Sequence, residues 1–275
     1  KDQIESGISS LMSVEGRMNI IDEGQPFTVI VDYAHAPDAL EKVFESVREH
    51  KGKIISVHGG AGRRDPSTRK IRGEILAKYS DIVIITSGIA RKPGQTRIEL
   101  AQTNVDILKS ITPQIVAAAP NALYIMVSNP VDIMTYVFTK ISGLPERQIV
   151  GSGTILDTAR LRYALSAHYG VAQQNIHAYV FGEHGDSSFV PWSLVHIANN
   201  HVDVYKESSP DKDRIHWNQD YEEVEQFVKK SGGLIIENKG ATFYAVSVSV
   251  CHICKCLLSG FDTPLTVSTM AYSPG

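Results

Sequence analysis

Between residues 26 and 151 short apolar runs alternate with helical periods, and this alternation restricts the fold more than anything else in the chain. PFTVIVD (26–32), KIISVH (53–58), DIVIIT (81–86), ALYIMVS (122–128) and QIVG (148–151) are short and rich in Val and Ile, the pattern of β-strands. The segments between them carry apolar residues at helical spacing. PDALEKVFESVREH (37–50) places Pro37 in its first turn and repeats Leu40, Val43, Phe44 and Val47. STRKIRGEILAKYS (67–80), IELAQTNVDILKSIT (98–112) and DIMTYVFTKIS (132–142) read the same way, the last ended by Gly143. Strands joined by single helices pair in parallel through right-handed crossovers, so the expected fold is α/β, a doubly wound parallel sheet of Rossmann-like type.

After residue 151 the rhythm changes. ILDTARLRYALSAHYG (155–170) is an amphipathic helix with Gly170 as its stop, and IHAYVFG (176–182) is a strand. DYEEVEQFVKKSGG and ATFYAVSVSVCHICKCLLSG read as helices, and LTVSTM (265–270) as a strand. The expected division is a linker or tail over 1–24, a nucleotide-binding domain over 25–150 and an α+β domain over 151–275.

Composition narrows the function classes. The 275 residues carry a net charge of −3, which gives no electrostatic reason to bind nucleic acid or an anionic membrane. No apolar run is long enough to span a bilayer, and the first residues lack a signal peptide's apolar region. Cys251, Cys254 and Cys256 lie together in VCHICKC. A metal site would combine them with His252, but no second ligand cluster completes a tetrahedron, so buried reduced thiols and a cytoplasmic setting are expected.

The chemistry concentrates between Gly151 and Ser188. Asp157 and Arg160 in LDTAR fall three apart on one helix face, and His184 in FGEHGDS follows a strand between Gly182 and Gly185. Read as surface chemistry, the first two form an ion pair worth little. Read as a site, Asp157 orients His184 and stabilises its charged form, while Arg160 grips a carboxylate with its planar fork. His184 titrates near neutrality and suits a general acid and base. One acid, one guanidinium and one imidazole are the parts needed to bind a 2-oxo acid and move a proton on and off its oxygen.

LDTAR and GEHGDS, with KPGQTR, VSNPVD and KGATFY in the same order, resemble the L-lactate dehydrogenases of the lactate/malate dehydrogenase family, from about Asp81 to the C-terminus. The resemblance implies NAD as cofactor and hydride exchange with a small 2-oxo or 2-hydroxy acid. It makes His184 the acid/base, Asp157 its orienter, Arg160 the carboxylate clamp and Arg97 the residue that polarises the carbonyl. Asn129 would hydrogen-bond the reacting oxygen, Val127 and Ser128 beside it would touch the nicotinamide, and Thr242 would line the substrate pocket. It also implies a homo-oligomer, a tetramer, and a further strand pair and closing helix beyond TVSTMAYSPG. Arg91 departs from the lactate pattern: the family usually has Gln there, and the malate enzymes have Arg for a second carboxylate. Lactate and malate both stay open, because Thr242 is the lactate-type residue.

The front of the chain does not continue that resemblance. A dinucleotide fold should open on G-x-G-x-x-G, but the first strand runs into VDYAHAPDAL. Gly59, Gly60 and Gly62 in HGGAGRRD could form an anion nest, followed by Arg63 and Arg64 where a ribose-binding acid belongs. Residues 6–86 are instead similar to the C-terminal domain of Mur ligases of the UDP-N-acetylmuramoyl-tripeptide synthetase type, through SVEGRM, VIVDYAHAPDALEKV, HGGAGRRD and AKYSDIVIIT. There Arg17 and Asp32 match residues that help bind ATP. The expectation is a chimera joined within DIVIIT, with weak cofactor affinity. The alternatives are a ligase-derived ATP-binding module and a catalytically silent scaffold.

Overall fold

The computed structural model describes residues 15–49, 52–56, 68–89, 97–208, 221–240, 242–259 and 262–270. Packing divides the chain into two compact units: Lys1–Val83 with Pro113–Ala122, and Ile84–Thr112 with Leu123–Gly275.

In the first unit, β1 (Asn19–Ile21) pairs antiparallel with β2 (Val29–Val31), Ile20 opposite Ile30. Residues 1–24 were expected to be linker and 26–32 a strand of the parallel sheet. Residues 19–21 and 29–31 instead form an antiparallel ribbon. The turn chemistry explains this: the Asp22 carboxylate accepts the Gly24 N–H at 2.9 Å, and Gly24 takes a φ of 77° that brings the chain back on itself. Helix α1 (Pro37–Arg48) follows, with Pro37 in its first turn and Leu40 and Phe44 buried one helical turn apart. It packs on α2 (Thr68–Tyr79), and Leu40, Phe44, Ile54 and Ile75 form the core of this unit. The Phe44 and Tyr79 rings stack 5.5 Å apart. Of the expected strand at 53–58 the described residues show one parallel bridge, Ile55 to Ile82; residues 57 and 58 lie outside the described residues.

Strand β3 (Ile82–Ile85), which straddles the division at Val83, makes a sheet with β4 (Leu123–Met126) and β5 (Ile149–Gly151) in the order β3-β4-β5, with β4 parallel to β5. Tyr124, Ile125 and Met126 are all buried, as in a strand covered on both faces. Helix α3 (Arg97–Ala118) outruns its expected end at 112. Pro113 deletes one helical hydrogen bond, but half-buried Ile115 and Val116 carry the helix on. Helix α4 (Val131–Ser142) buries Val131, Met134, Thr135 and Phe138 and stops at Gly143, whose φ of 68° is the left-handed cap expected of it.

The rest of the second unit is built around α5 (Ile155–Tyr169). It buries Ile155, Asp157, Thr158, Leu161, Ala164, Leu165 and Tyr169, so apolar and polar residues alike are covered on several sides. Against it lie the small antiparallel sheet β6 (Ile176–His177), β7 (His196–Ile197) and β8 (Asn200–His201), the short α6 (Val202–Ser208), and the long helices α7 (Tyr221–Lys239) and α8 (Tyr244–Ser259). Helix α7 runs through Gly232 and Gly233, where a stop was expected; two glycines cost roughly 2 kcal/mol of helix propensity, which packing on α5 offsets. The expected strand 265–270 pairs only at Ser268, which exchanges backbone hydrogen bonds with Gly151 at 2.8 and 3.0 Å. The three cysteines were expected to be buried together. Only Cys254 is, with its thiol pushed up to about 11 by burial, whereas Cys251 faces solvent. None of the described helices is long and apolar enough to cross a membrane.

Candidate active site

Helix α5 supplies two of the three charged groups. Its first turn carries Asp157, where an acid also complements the helix N-terminus. Asp157 is 6% exposed, so its charge needs partners. One oxygen accepts from Arg160 Nη1 at 3.1 Å and the other meets His184 Nδ1 at 2.5 Å. The i, i+3 pair is therefore not surface chemistry: the side chains are 14% and 8% exposed.

His184 reaches this carboxylate from the loop after β6. Gly182 turns that loop with a φ of 86°, and a Cβ there would come within 3.0 Å of Ser187 O, so the glycine serves the chain's own return rather than open access for a ligand. The bond to Asp157 raises the pKa of His184 above its ordinary value; burial and Arg160 oppose this, and Asp132 adds to it. With Nδ1 committed to Asp157, Nε2 is the ring nitrogen left to exchange a proton. Arg160 keeps further N–H donors beyond the one on Asp157. Its guanidinium lies over Gly232 of α7, where an added Cβ would sit 3.7 Å from Nη1 and Nη2.

The other expected residues are placed as follows. Val127 donates its N–H to Ile85 O at 2.9 Å, at the carboxyl ends of β3 and β4. Ser128 is buried, its hydroxyl on Ser87 O at 2.5 Å. Asn129 is exposed, and its backbone carbonyl accepts from Asn104 Nδ2 at 2.7 Å. Thr242 is half-buried between α7 and α8. Arg97 opens α3. Arg91, Gly59, Gly60 and Gly62 lie outside the described residues, as do Arg63 and Arg64.

Four residues were not singled out from sequence. Asp132 accepts the His184 N–H at 2.8 Å and the Ser268 hydroxyl at 2.5 Å. Asn104, 2% exposed, also accepts the Ile89 N–H at 2.9 Å. The Ser87 hydroxyl is buried without a hydrogen-bond partner among the described residues. Asp132 did give a signal, an acid in a helix's first turn inside VSNPVD; the others are ordinary polar residues that only folding singles out.

A buried polar atom lacking a partner, at the carboxyl ends of a parallel sheet, fits a ligand that brings its own hydrogen-bonding groups, as a nicotinamide cofactor does. Sheet, strand-end polar groups and the histidine–carboxylate pair together define an α/β enzyme of the nucleotide-binding class. The chain belongs to the lactate/malate dehydrogenase family: residues 43–151 match the family's NAD binding domain and residues 154–274 its alpha/beta C-terminal domain.

Relatives agree. The chain is 43% identical over 235 residues to L-lactate dehydrogenase 1 of Clostridium acetobutylicum, covering 84% of this chain and 74% of that protein. It is 44% identical over 196 residues to L-lactate dehydrogenase of Clostridium perfringens, spanning 60% of its length. A lactate dehydrogenase from a Medee basin deep-sea metagenome library superimposes with a TM-score of 0.67 at 30% identity, over 84% of this chain and 69% of that one. L-Lactate dehydrogenase from Clostridium thermocellum gives 0.62 at 39% identity, over 72% and 61%. The NAD-binding match begins at residue 43, inside the stretch read as ligase-like, and none of these relatives is a ligase. Asp32, the expected ATP contact, spends both oxygens on its own chain, accepting the Met18 and Ala34 N–H groups at 2.7 and 2.6 Å.

Proposed function

We propose that the protein is an NAD-dependent oxidoreductase that interconverts a small 2-oxo acid and its 2-hydroxy acid, with pyruvate and lactate the first pair to try. The observation that carries this is the 2.5 Å contact of His184 Nδ1 with buried Asp157, which also holds Arg160. In reduction, His184 gives the proton on Nε2 to the keto oxygen and is left neutral; in oxidation it takes that proton back. Asp157 stabilises the imidazolium and fixes the ring. Arg160 binds the substrate carboxylate through its remaining donors. Arg97 polarises the carbonyl, Asn129 donates to the same oxygen and Thr242 lines the pocket. Val127, Ser128 and Asn129 would hold the nicotinamide and Gly59, Gly60 and Gly62 the phosphates of NAD(H), which would supply the hydride.

The domain boundary in this reading falls at 150/151, and the protein acts as a cytoplasmic homo-oligomer. Arg91 supplies a site for a second carboxylate, which favours oxaloacetate as a further substrate. The test is NADH oxidation with pyruvate, then oxaloacetate, beside His184→Ala. Loss of a proton-transfer group should cost about 10²–10⁴-fold in turnover, and unchanged turnover rejects the assignment. Calorimetry tests the front of the chain: weak NADH binding fits the missing fingerprint glycines, whereas tight ATP binding lost in Asp32→Ala would support a ligase-like origin for residues 6–86.

A further inference from the structure

Asp132 lies at the second position of α4 and is joined to two remote parts of the chain. Its Oδ2 accepts the backbone N–H of His184, 52 residues away, at 2.8 Å, and its Oδ1 accepts the hydroxyl of Ser268, 136 residues away, at 2.5 Å. His184 is thus held at two points by two carboxylates, at the ring by Asp157 and at the backbone by Asp132. A ring tethered through Nδ1 alone can still pivot about that bond. Fixing the backbone as well sets the direction in which Nε2 points.

The partner of Asp132 on its other side is equally constrained. Residues 266–268 lie against Gly151 and Gly153, and a Cβ on Gly153 would fall 2.6 Å from Ser268 N. Thr266 Oγ1 meets Thr158 Oγ1 at 2.9 Å, and Thr158 Oγ1 in turn accepts the Val180 N–H at 2.9 Å. The segment therefore touches α5 through Thr158 and α4 through Asp132, the two helices that bear the two carboxylates.

We propose that Asp132 is a positioning residue for the acid/base step, anchoring the His184 loop and bracing it through Ser268 to the segment that spans both helices. This rests on the role proposed for His184. The charged groups arranged around His184 are Asp157 and Arg160 from α5 and Asp132 from α4, with Glu183 and Asp186 on its own loop; Glu183 is turned to the Ser187 hydroxyl at 2.8 Å. Asp132 adds negative charge near the imidazole, a smaller contribution than that of Asp157, so removing it disfavours the protonated ring.

The test compares Asp132→Asn, Asp132→Ala and Ser268→Ala with the parent full chain. Two quantities are measured: the His184 ring titration by NMR in ligand-free protein, and kcat and KM for pyruvate reduction. Asp132→Ala should lower kcat about 10²-fold with KM within about twofold, the cost of a misdirected catalytic group. Asp132→Asn keeps one acceptor without the charge; it should lower the His184 titration midpoint and kcat by about tenfold. Ser268→Ala should leave the midpoint in place and lower kcat only. Parent-like kcat and midpoint in Asp132→Asn overturn the proposal, even if Asp132→Ala does not fold. If the parent turns over neither pyruvate nor oxaloacetate, the activity reading fails by itself; the NMR titration still decides, because an unmoved midpoint in Asp132→Asn removes the coupling.

Discussion

The two units handle charge in opposite ways. In the first, Lys78–Glu41, Arg48–Asp81 and Lys42–Glu45 lie on the surface, and each partner is replaceable by water. In the second, Asp157 is buried and serves Arg160 and His184 at once. Apolar packing differs in the same direction: among the described residues, a core cluster of the first unit holds four buried residues, whereas one of thirteen, Leu161 among them, lies in the second. A carboxylate is held out of water where a large core already fixes its surroundings, and there its removal leaves uncompensated charge.

The sharpest way to break this comparison is Asp157→Asn. The change keeps shape but removes the charge and one of the two acceptor oxygens that hold Arg160 and His184, and it should lower kcat for keto-acid reduction by roughly 10²-fold or more. Since Asp157 is the main cause of the raised His184 pKa, the variant should lose the protonated ring, and with it reduction, at lower pH than the parent. Stability carries the same sign. A raised folded pKa stabilises fully below the unfolded value, about 6.5, and this contribution fades as pH rises through the folded value. The urea midpoint of the parent should therefore exceed that of Asp157→Asn by more at pH 6 than at pH 9. Equal differences at the two pH values would mean that the 2.5 Å contact carries no charge coupling.

How much of this was legible beforehand follows from where each signal lives. Apolar periodicity marked α1, α2, α4 and α5 almost to the residue: α1 and α4 bury one turn-spaced set, and α5, covered on several sides, is bounded by its Gly170 stop. Gly143 and Gly170 marked helix ends because a left-handed cap is a local event. The ribbon of β1 and β2 was missed: strand character says nothing about partner or direction, and the Asp22–Gly24 turn that decides both is short. In the site, motif spacing found Asp157, Arg160 and His184. Asp132 was passed over because its partners are a backbone N–H and a serine far along the chain, and periodicity does not encode such bonds.

Core substitutions sharpen the contrast at the next level. Leu161 is fully buried at the centre of the larger cluster, and Leu161→Ala should cost about 4–5 kcal/mol, near the upper end for such a change, because the surrounding helices cannot close the void. Phe44 is 7% exposed in a cluster of four and stacks on Tyr79 at its edge. Phe44→Ala should cost nearer 3 kcal/mol, about the lower end for Phe, since solvent and the Tyr79 ring can move in. Urea unfolding monitored at several wavelengths checks both; a larger loss for Phe44→Ala would show that the small cluster is the more rigidly packed.

The smallest effect belongs to the surface pair. Lys78 Nζ and Glu41 Oε1 are 2.9 Å apart, and the hydrogen bond to Lys78 holds the Glu41 carboxyl below its ordinary pKa. In distance this pair is tighter than Arg160–Asp157 at 3.1 Å, so if distance alone set the energy its loss would be felt more. Its side chains are 58% and 38% exposed, however, so water can replace each partner with little loss. Glu41→Gln should lower the urea midpoint at pH 7 only slightly, removing a small gain in stability that is present above the unfolded carboxylate pKa and lost as pH falls through the lowered folded value. A midpoint shift comparable to that of Asp157→Asn would show that burial, rather than distance, had been given too much weight in separating the two units.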